Sequence, residues 1–271
     1  MKDNRPKVII ITGASRGIGK SIAQKAAEGG HLLALVADDE NELNQTASSL
    51  GKADNLLVLH GDLRSKPFLR QIVEDTYLKW GRIDVLINNA AWRSLETLRT
   101  ISMDTWDKTL QICLTAPVFL SQMAAEKMES KQTKGVIVQI SSIMADRAGG
   151  TSPAYAASKG ALLSLTYEMA ALYGPSGIRV VAVCPGNVST AMSNDFKNAH
   201  GENISENLVK DMEDLTPLQR SASPDEIAEA VLWLASEEAS FVTGTSLVID
   251  GGFTHNFNSY KNKKSQYPKE F

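Results

Sequence analysis

The chain has 271 residues, of which 43% are hydrophobic and 22% are charged, and its formal net charge is -3 at pH 7. Such a length suits one large α/β domain or two small ones, and we expect one. Because 28 basic residues stand against 31 acidic ones, the chain lacks the positive charge that nucleic-acid binding uses. Nucleic acid is therefore not an expected partner.

The two cysteines, Cys113 and Cys184, stand in unrelated contexts and lack the spacing of metal ligands. Free thiols in a reducing compartment are expected, rather than a disulfide bond or a metal site. The first apolar run ends at Gly13 after about five residues, which is too short for a signal peptide or a membrane span. We predict a cytoplasmic protein that contacts no membrane.

Seven short apolar runs mark the strands of the predicted sheet. They are Val8 to Ile11, Leu32 to Val36, Leu56 to Leu59, Val85 to Ile87, Val136 to Ile140, Val180 to Val183 and Leu247 to Ile249. Segments between them have helical apolar spacing, for example Ile18 to Ala27 and Ile227 to Leu234. This alternation is typical of a parallel sheet covered on both faces. The predicted fold is α/β, a doubly wound seven-stranded parallel sheet in a single domain.

Two segments depart from this alternation. Residues 189–219 lie between a strand and the next helix and carry apolar residues of their own. We predict a lid over a substrate site there, against the alternative of a surface insertion without function. Residues 253–271 form a polar and basic tail, for which disorder and packing between subunits are both open. The predicted catalytic domain thus covers residues 1–252.

A glycine cluster directly follows the first strand. In the stretch VIIITGASRGIGKSIA, Gly13, Gly17 and Gly19 allow a tight turn and close approach of the backbone to a ligand. The helix that we expect to begin at about Gly17 offers free N–H groups and its positive dipole end to a diphosphate. This position in the fold favours dinucleotide binding over a purely structural turn.

Together with this cluster, later motifs resemble those of the short-chain dehydrogenase/reductase family, over about Lys7 to Gly252. They are Asn88-Asn89-Ala90, Ser142, Tyr155 to Lys159, and Pro185-Gly186-Asn187-Val188-Ser189-Thr190. The resemblance implies a single Rossmann-fold domain that exchanges hydride between a nicotinamide cofactor and a carbonyl or alcohol. It also implies a homodimer or homotetramer that packs through Met103 to Met128 and Ser152 to Tyr173.

Tyr155 and Lys159 are the central pair of the predicted active site. Residues four apart on a helix share one face, and a nearby ammonium favours the phenolate form of a tyrosine. Ala156, Ala157 and Gly160 leave room for a cofactor along this face. The resemblance implies that Tyr155 exchanges a proton with the substrate oxygen, while Lys159 holds the nicotinamide ribose and makes the tyrosine more acidic.

Ser142 ends a predicted strand, at the edge where open parallel sheets bind ligands. Its hydroxyl can donate to a substrate carbonyl and stabilise the developing oxyanion. Ser141 is adjacent, and a structural serine at a strand end is the alternative interpretation. The interval of 13 residues from Ser142 to Tyr155 agrees with the family.

The resemblance assigns cofactor contacts to residues that follow several strands. They are Thr12, Gly13, Ser15, Arg16, Gly17, Ile18, Gly19, Asp62, Leu63, Asn89, Ala90, Pro185, Gly186, Val188 and Thr190, in addition to Tyr155 and Lys159. Cofactor preference depends on Asp38, at the end of the second strand, which repels a 2′-phosphate and can accept from a ribose hydroxyl. Arg16 lies where a basic residue often accompanies NADP. The predicted cofactor is NAD, with NADP as the alternative.

Two positions depart from the family's pattern. Ala91 stands where the family often has glycine, and Cys113 stands where many members have an asparagine that holds a water of a proton relay. Because a thiol is a weak hydrogen-bonding group, the relay is expected to be rerouted, slower or absent. A dinucleotide-binding sensor or scaffold with weak or no turnover is therefore the alternative to an enzyme.

The leading prediction is an NAD(P)-dependent short-chain alcohol dehydrogenase or ketoreductase that acts on a small-molecule secondary alcohol or ketone. Substrate contacts are expected from Trp92, Arg93, Met144 to Arg147, Asn187 and Ala191 to Asn207. Arg93 and Arg147 are able to bind an anionic group, although solvated surface positions are the simpler interpretation of both.

Overall fold

The structure is a computed structural model that describes residues 5–51, 53–198 and 200–271, so residues 1–4 and 52 of the predicted domain and residue 199 of the predicted lid lie outside it. Its strands are β1 (Val8–Thr12), β2 (Leu32–Ala37), β3 (Leu56–His60), β4 (Val85–Asn88), β5 (Val136–Ile140), β6 (Arg179–Pro185) and β7 (Thr245–Ile249). They form one parallel sheet in the order β3-β2-β1-β4-β5-β6-β7. The predicted fold is confirmed, and each apolar run lies within a strand.

Helices cover both faces of this sheet. They are α1 (Gly17–Glu28), α2 (Glu40–Ser49), α3 (Lys66–Trp80), α4 (Met103–Leu110), α5 (Ala116–Ser130), α6 (Pro153–Tyr173), α7 (Ser205–Leu215), α8 (Pro224–Leu234) and α9 (Tyr260–Gln266). Within the part of the chain that the structure describes, none of them is both long and apolar enough to cross a membrane.

The sheet separates two hydrophobic layers. Ile9 and Ile11 of β1 belong to the layer formed with α1, α2 and α8, whereas Ile10 belongs to the layer formed with α3, α5 and α6. All three side chains are almost completely buried. Because both faces of each central strand are covered, the strands carry continuous apolar runs instead of alternating polar and apolar residues.

The order of the strands locates the ligand-binding edge. β1 lies between β2 and β4, so the chain winds in opposite directions from β1. In doubly wound sheets a crevice opens at this switch point, outside the carboxyl ends of the strands. The glycine cluster after β1 and the Asn88-Asn89-Ala90 motif at the end of β4 therefore meet at one place.

The chain between β4 and β5 forms one long helical segment with an irregular centre. A π-helical turn, Gln111–Thr115, joins α4 to α5. Such turns are rare and often occur at functional sites. Cys113 is the buried residue of this turn.

The predicted lid and the tail pack against each other. The lid carries α7, and the tail carries α9. Asn256 Nδ2 donates to the Leu215 carbonyl at 2.6 Å, and the Lys261 N–H donates to Asp214 Oδ1 at 2.9 Å. The tail is thus folded onto the predicted lid of its own chain and is ordered there, while its packing between subunits stays a prediction.

Candidate active site

A cavity of about 780 Å³ opens at the carboxyl ends of β1, β4, β5 and β6. This volume is typical of small-molecule and cofactor sites. Its lining includes most of the predicted site residues, namely Gly13, Ser15, Arg16, Gly17, Ile18, Asp38, Asp62, Leu63, Asn89, Ala90, Ser142, Tyr155, Lys159, Pro185, Gly186, Val188 and Thr190. Thr12 and Gly19, which are also described, lie behind its wall.

The glycine cluster forms a tight backbone cradle. Gly13 and Gly17 have φ values of +67° and +56°, in the left-handed region that favours glycine. A Cβ atom on Gly19 would lie 2.1 Å from the Gly13 carbonyl oxygen, so no larger residue fits there. Among the described residues no side chain caps the N-terminus of α1, which leaves its N–H groups available to an anion. The cradle therefore fits the diphosphate of a dinucleotide.

Thr12 supports the cradle from behind. Its hydroxyl oxygen accepts from the N–H groups of Asn89 and Ala90, both at 3.0 Å. The Asn89 side chain in turn donates to the carbonyls of Thr12 and Gly13 at 2.9 and 3.2 Å. These bonds join the turns after β1 and β4, so Thr12 acts as a support of the cradle and the Asn89 amide is committed to the protein backbone.

Tyr155 and Lys159 lie one turn apart on α6 and both line the cavity. Lys159 is only 2% exposed, and its ammonium donates to the Ile140 carbonyl at 2.6 Å. The Lys159 Nζ lies 5.3 Å from the centroid of the Tyr155 ring. The structure thus holds a buried ammonium beside the phenol ring of Tyr155.

The two serines at the end of β5 have different surroundings. The Ser141 hydroxyl is buried and donates to the backbone carbonyl of Lys159 at 2.8 Å, so it holds β5 against α6. The Ser142 hydroxyl lines the cavity and accepts from the Met144 N–H at 3.1 Å. This bond uses a lone pair of Ser142 and not its proton, which can still be donated to a ligand.

Cys113 ties the π-helical turn to the loop after β4. The Trp92 N–H donates to the Cys113 sulfur at 3.3 Å, and the thiol donates to the Trp92 carbonyl at 3.3 Å. The Cys113 thiol therefore binds both the N–H and the carbonyl of Trp92. The sequence identified Cys113 as a departure from the family's pattern but did not reveal these partners.

Three acidic residues surround the end of β2. Asp38 lines the cavity and is exposed, whereas the Asp39 carboxylate caps α2 by accepting from the Glu42 N–H at 2.9 Å. Glu42 was not foreseen: its carboxylate pairs with Arg16 at 3.2 Å and accepts from the Ser15 hydroxyl at 3.3 Å. The positive charge of Arg16, which the sequence suggested as an NADP contact, is thus paired within the protein.

Asp62 is also engaged by a neighbour. Its carboxylate accepts from Arg64 Nε at 2.8 Å and pairs with Arg64 Nη2 at 2.6 Å. The hydrogen bonds from Arg64 are the largest cause of the lowered pKa of the Asp62 carboxyl, and burial opposes them. Asp62 therefore lines the cavity as a carboxylate that is partly neutralised by Arg64.

The loop after β6 crosses the cleft. The Ala222 backbone donates to the Asn187 carbonyl and accepts from the Ser189 N–H, both at 2.9 Å, which fixes the loop against the segment before α8. A Cβ atom on Gly17 would lie 3.4 Å from Cγ2 of Thr190. The loop thus lies against the glycine cradle, and both line the cavity.

Some residues of the wall could not be found from motifs. They include Lys20, Ser21, Gln24, Ile112, Pro224, Asp225 and Phe253. Ser21 donates to Asp225, which joins α1 to α8. We call the part of the lining where substrate contacts were expected the substrate half; it comprises Trp92, Arg93, Met144, Arg147, Asn187 and Met192. Arg147 is exposed there, as the simpler interpretation expected, but the Arg93 side chain is only 10% exposed.

The doubly wound sheet, with a glycine turn at its switch point, defines a Rossmann-fold protein of the dinucleotide-binding class. A family model described as enoyl-(acyl carrier protein) reductase matches residues 13–254. Meso-2,3-butanediol dehydrogenase of Serratia marcescens is 31% identical over 248 residues, which cover 92% of this chain and 94% of that protein.

Solved structures agree with this assignment. A short-chain type dehydrogenase/reductase from Mycobacterium marinum superposes with a TM-score of 0.85 at 28% identity, covering 93% of this chain and 97% of that one. A 4-hydroxyisoleucine dehydrogenase, solved in complex with NADH, gives a TM-score of 0.83 at 29% identity, covering 92% and 99%. The chain belongs to the short-chain dehydrogenase/reductase family of oxidoreductases, whose members bind NAD(P)(H), as its motifs indicated.

Proposed function

We propose that the protein is an NAD(P)-dependent enzyme that interconverts a small secondary alcohol and its ketone. The observation that carries the proposal is that Ser142, Tyr155 and Lys159 line one cavity together with the glycine cradle. When bound, the nicotinamide supplies the hydride or accepts it. The names of the butanediol and hydroxyisoleucine dehydrogenases support a hydroxylated small molecule as the substrate.

Each side chain has a distinct part in ketone reduction. The Ser142 hydroxyl donates a hydrogen bond to the carbonyl oxygen and stabilises the charge that develops on it. The Tyr155 hydroxyl transfers its proton to that oxygen while the carbonyl carbon gains the hydride. The Lys159 ammonium stabilises the phenolate that remains, and it would also hold the nicotinamide ribose. In alcohol oxidation the Tyr155 phenolate takes the proton back.

The acidic groups at the end of β2 support NAD as the preferred cofactor. The exposed carboxylate of Asp38 lines the cavity at the end of this strand, where it would accept from the adenine ribose of a bound cofactor. Glu42 adds a second carboxylate and pairs with Arg16. A 2′-phosphate would meet two negative charges and a cation that is already paired, so its binding is disfavoured.

The substrate lid is assigned to residues 189–219 within a catalytic domain of residues 1–252, with residues 253–271 as a tail. Met192, Phe196 and Met212 of the lid line the cavity, which supports this role. Self-association is assigned to α4, α5 and α6, because Met103, Phe119, Tyr167 and Leu172 are exposed there. Large apolar side chains exposed on neighbouring helices are typical of subunit interfaces.

The test is a panel of secondary alcohols with NAD and NADP, and of ketones with NADH and NADPH, followed by nicotinamide absorbance. Tyr155→Phe should lower kcat by at least about 1,000-fold while NADH binding stays within about twofold, because the phenol oxygen is lost but the ring remains. Tyr77→Phe, on α3 and outside the lining of the cavity, is the matched control and should retain activity. NADH binding without turnover of any panel member would favour a sensor or scaffold.

A further inference from the structure

Arg93 is a charged residue of the cavity that the proposed mechanism does not use. It follows β4, lies three residues beyond Ala90, and lines the cavity with only 10% of its side chain exposed. A guanidinium keeps its charge in proteins, so burying one is costly unless it is paired and hydrogen-bonded. The burial of this charge therefore indicates that Arg93 has a structural or binding role.

The lid holds one end of this guanidinium. Arg93 Nη2 donates to the Met192 carbonyl at 2.6 Å and to Asp195 Oδ1 at 2.7 Å, and the guanidinium carbon lies 4.9 Å from the ring centroid of Phe196. Arg93 Nε, in contrast, is buried and has no hydrogen-bond partner among the residues that the structure describes. A buried N–H without a partner destabilises the protein, so this arrangement costs free energy unless a bound ligand draws the guanidinium toward the cavity that Arg93 lines.

The backbone on both sides of Arg93 is fixed. Cys113 holds the N–H and the carbonyl of Trp92, and the Ser152 hydroxyl donates to the Ser94 carbonyl at 3.0 Å. Ser152 directly precedes α6, the helix of the Tyr155–Lys159 pair. Arg93 is therefore preorganised relative to the reacting groups, which lowers the entropic cost of binding a substrate.

Charge is distributed unevenly along the cavity. The carboxylates of its lining, Asp38, Asp62 and Asp225, belong to the ends of β2 and β3 and to the start of α8 beside α1. Apart from Lys159, the charged residues that line the substrate half are both cations, Arg93 and Arg147. Asp195 pairs with Arg93 from outside the lining and is 53% exposed, so it offsets the arginine's charge only in part.

We propose that Arg93 is a specificity-determining residue whose guanidinium, at the wall of the cavity, binds a carboxylate of the substrate. This inference rests on the proposed function and narrows its substrate class to hydroxy acids and the corresponding oxo acids. Hydrogen bonds between a guanidinium and a carboxylate are roughly twice as strong as neutral ones, so Arg93 discriminates an acid from its uncharged analogue. The competing interpretation is that Arg93 serves only to fasten the lid.

The test compares oxo acids with their methyl esters, which carry the same ketone without the charge. Pyruvate, acetoacetate and levulinate place the carboxylate at increasing distances from the carbonyl, and each is assayed with NADH beside its ester. For at least one pair, the wild type should reduce the acid with a kcat/KM about 10- to 100-fold above that of the ester. Arg93→Gln should remove this preference by slowing the acid, with the ester rate within about threefold of the wild type.

Two control variants separate recognition from lid fastening. Asp195→Asn removes the ion pair but leaves Arg93, so it should keep the preference for the acid. Arg147→Gln removes the exposed cation and should also keep it. If Arg93→Gln slows acid and ester alike, Arg93 only fastens the lid. If the wild type reduces the esters as well as the acids, the substrate is neutral; either result overturns the inference and leaves the proposed function intact.

A binding measurement covers the case in which nothing is reduced. Calorimetry of the NADH-loaded protein with butyrate and with butanamide should show tighter binding of butyrate to the wild type and no difference in Arg93→Gln. That result without any turnover would contradict the proposed function while supporting the carboxylate site. Equal binding of both probes to the wild type would contradict the carboxylate site.

Discussion

The thiol of Cys113 holds Trp92 in both directions, because it accepts from the Trp92 N–H and donates to the Trp92 carbonyl, each at 3.3 Å. The Trp92 backbone lies in the loop after β4, and it bonds to the Cys113 side chain instead of to another backbone group. The geometry explains why a small, weakly polar residue is adequate at this position, since it must fit a buried π-helical turn and still offer one donor and one acceptor.

Cys113→Ala should loosen this loop. It removes two weak hydrogen bonds and leaves two backbone groups without partners, so we expect a loss of about 1–3 kcal/mol in unfolding free energy and a KM for substrate raised about 5-fold or more. Cys113→Ser keeps a donor and an acceptor and should restore most of the KM. Urea denaturation and steady-state kinetics measure both effects, and an unchanged KM in the alanine variant would contradict the role.

Gly19→Ala should disrupt the cofactor cradle. The new Cβ would lie 2.1 Å from the Gly13 carbonyl oxygen, so the turn must shift, at a cost of roughly 1–3 kcal/mol of stability and at least about tenfold in NADH affinity. Gly174→Ala is the matched control, because Gly174 has an ordinary helical backbone after α6 and its Cβ would meet nothing within 4 Å. Thermal unfolding measures the stability and fluorescence titration measures the NADH affinity. Equal values for the two variants would contradict the prediction.

Glu42→Gln should weaken the preference for NAD that we propose. The variant releases Arg16 from its ion pair and removes one carboxylate near the ribose, so NADPH affinity should rise about tenfold while NADH affinity changes little. Glu40→Gln removes the same charge from the first turn of α2 but leaves the Arg16–Glu42 pair in place, and it should shift the preference less. Equal shifts in the two variants would point to a general charge effect.

The N-terminus of α8 should make stability depend on acid pH. Hydrogen bonds from Arg220, and then from the Ser223 N–H, lower the pKa of Glu226 from 4.5 to about 2. Because the pKa is depressed in the folded state, the stabilisation is fully present above the ordinary value of 4.5 and is lost as pH falls toward 2. Urea denaturation at a series of pH values should show that Glu226→Gln loses less stability on acidification than the wild type.

Arg220→Gln tests the cause of this pH dependence. Removing the guanidinium takes away the main reason for the depressed pKa, so the variant should resemble Glu226→Gln in the steepness of its acid destabilisation. The double variant should then show nearly the same pH dependence of unfolding free energy as either single variant. If Arg220→Gln loses unfolding free energy as steeply as the wild type when the pH falls, other groups cause the pH dependence.

The sequence could predict the sheet because burial on both faces leaves uninterrupted apolar runs, and it could predict the glycine cradle because that function requires residues without side chains. The partners of Cys113, the pairing of Arg16 with Glu42 and the burial of Arg93 could not be foreseen. Each joins segments that are distant along the chain, and Arg93 is covered only because Met192 and Phe196 of the lid pack over it. Such contacts depend on tertiary packing and leave no local pattern.

The bonds between the tail and α7 couple the tail to any movement of the proposed lid. Any displacement of α7 must either break the Asn256–Leu215 and Lys261–Asp214 bonds or carry α9 along with it. A ligand, antibody or crowded neighbour that grips α9 would then slow the release of product without touching the cavity. The tail is therefore a point, distant from the reacting groups, at which movement of the proposed lid can be restrained.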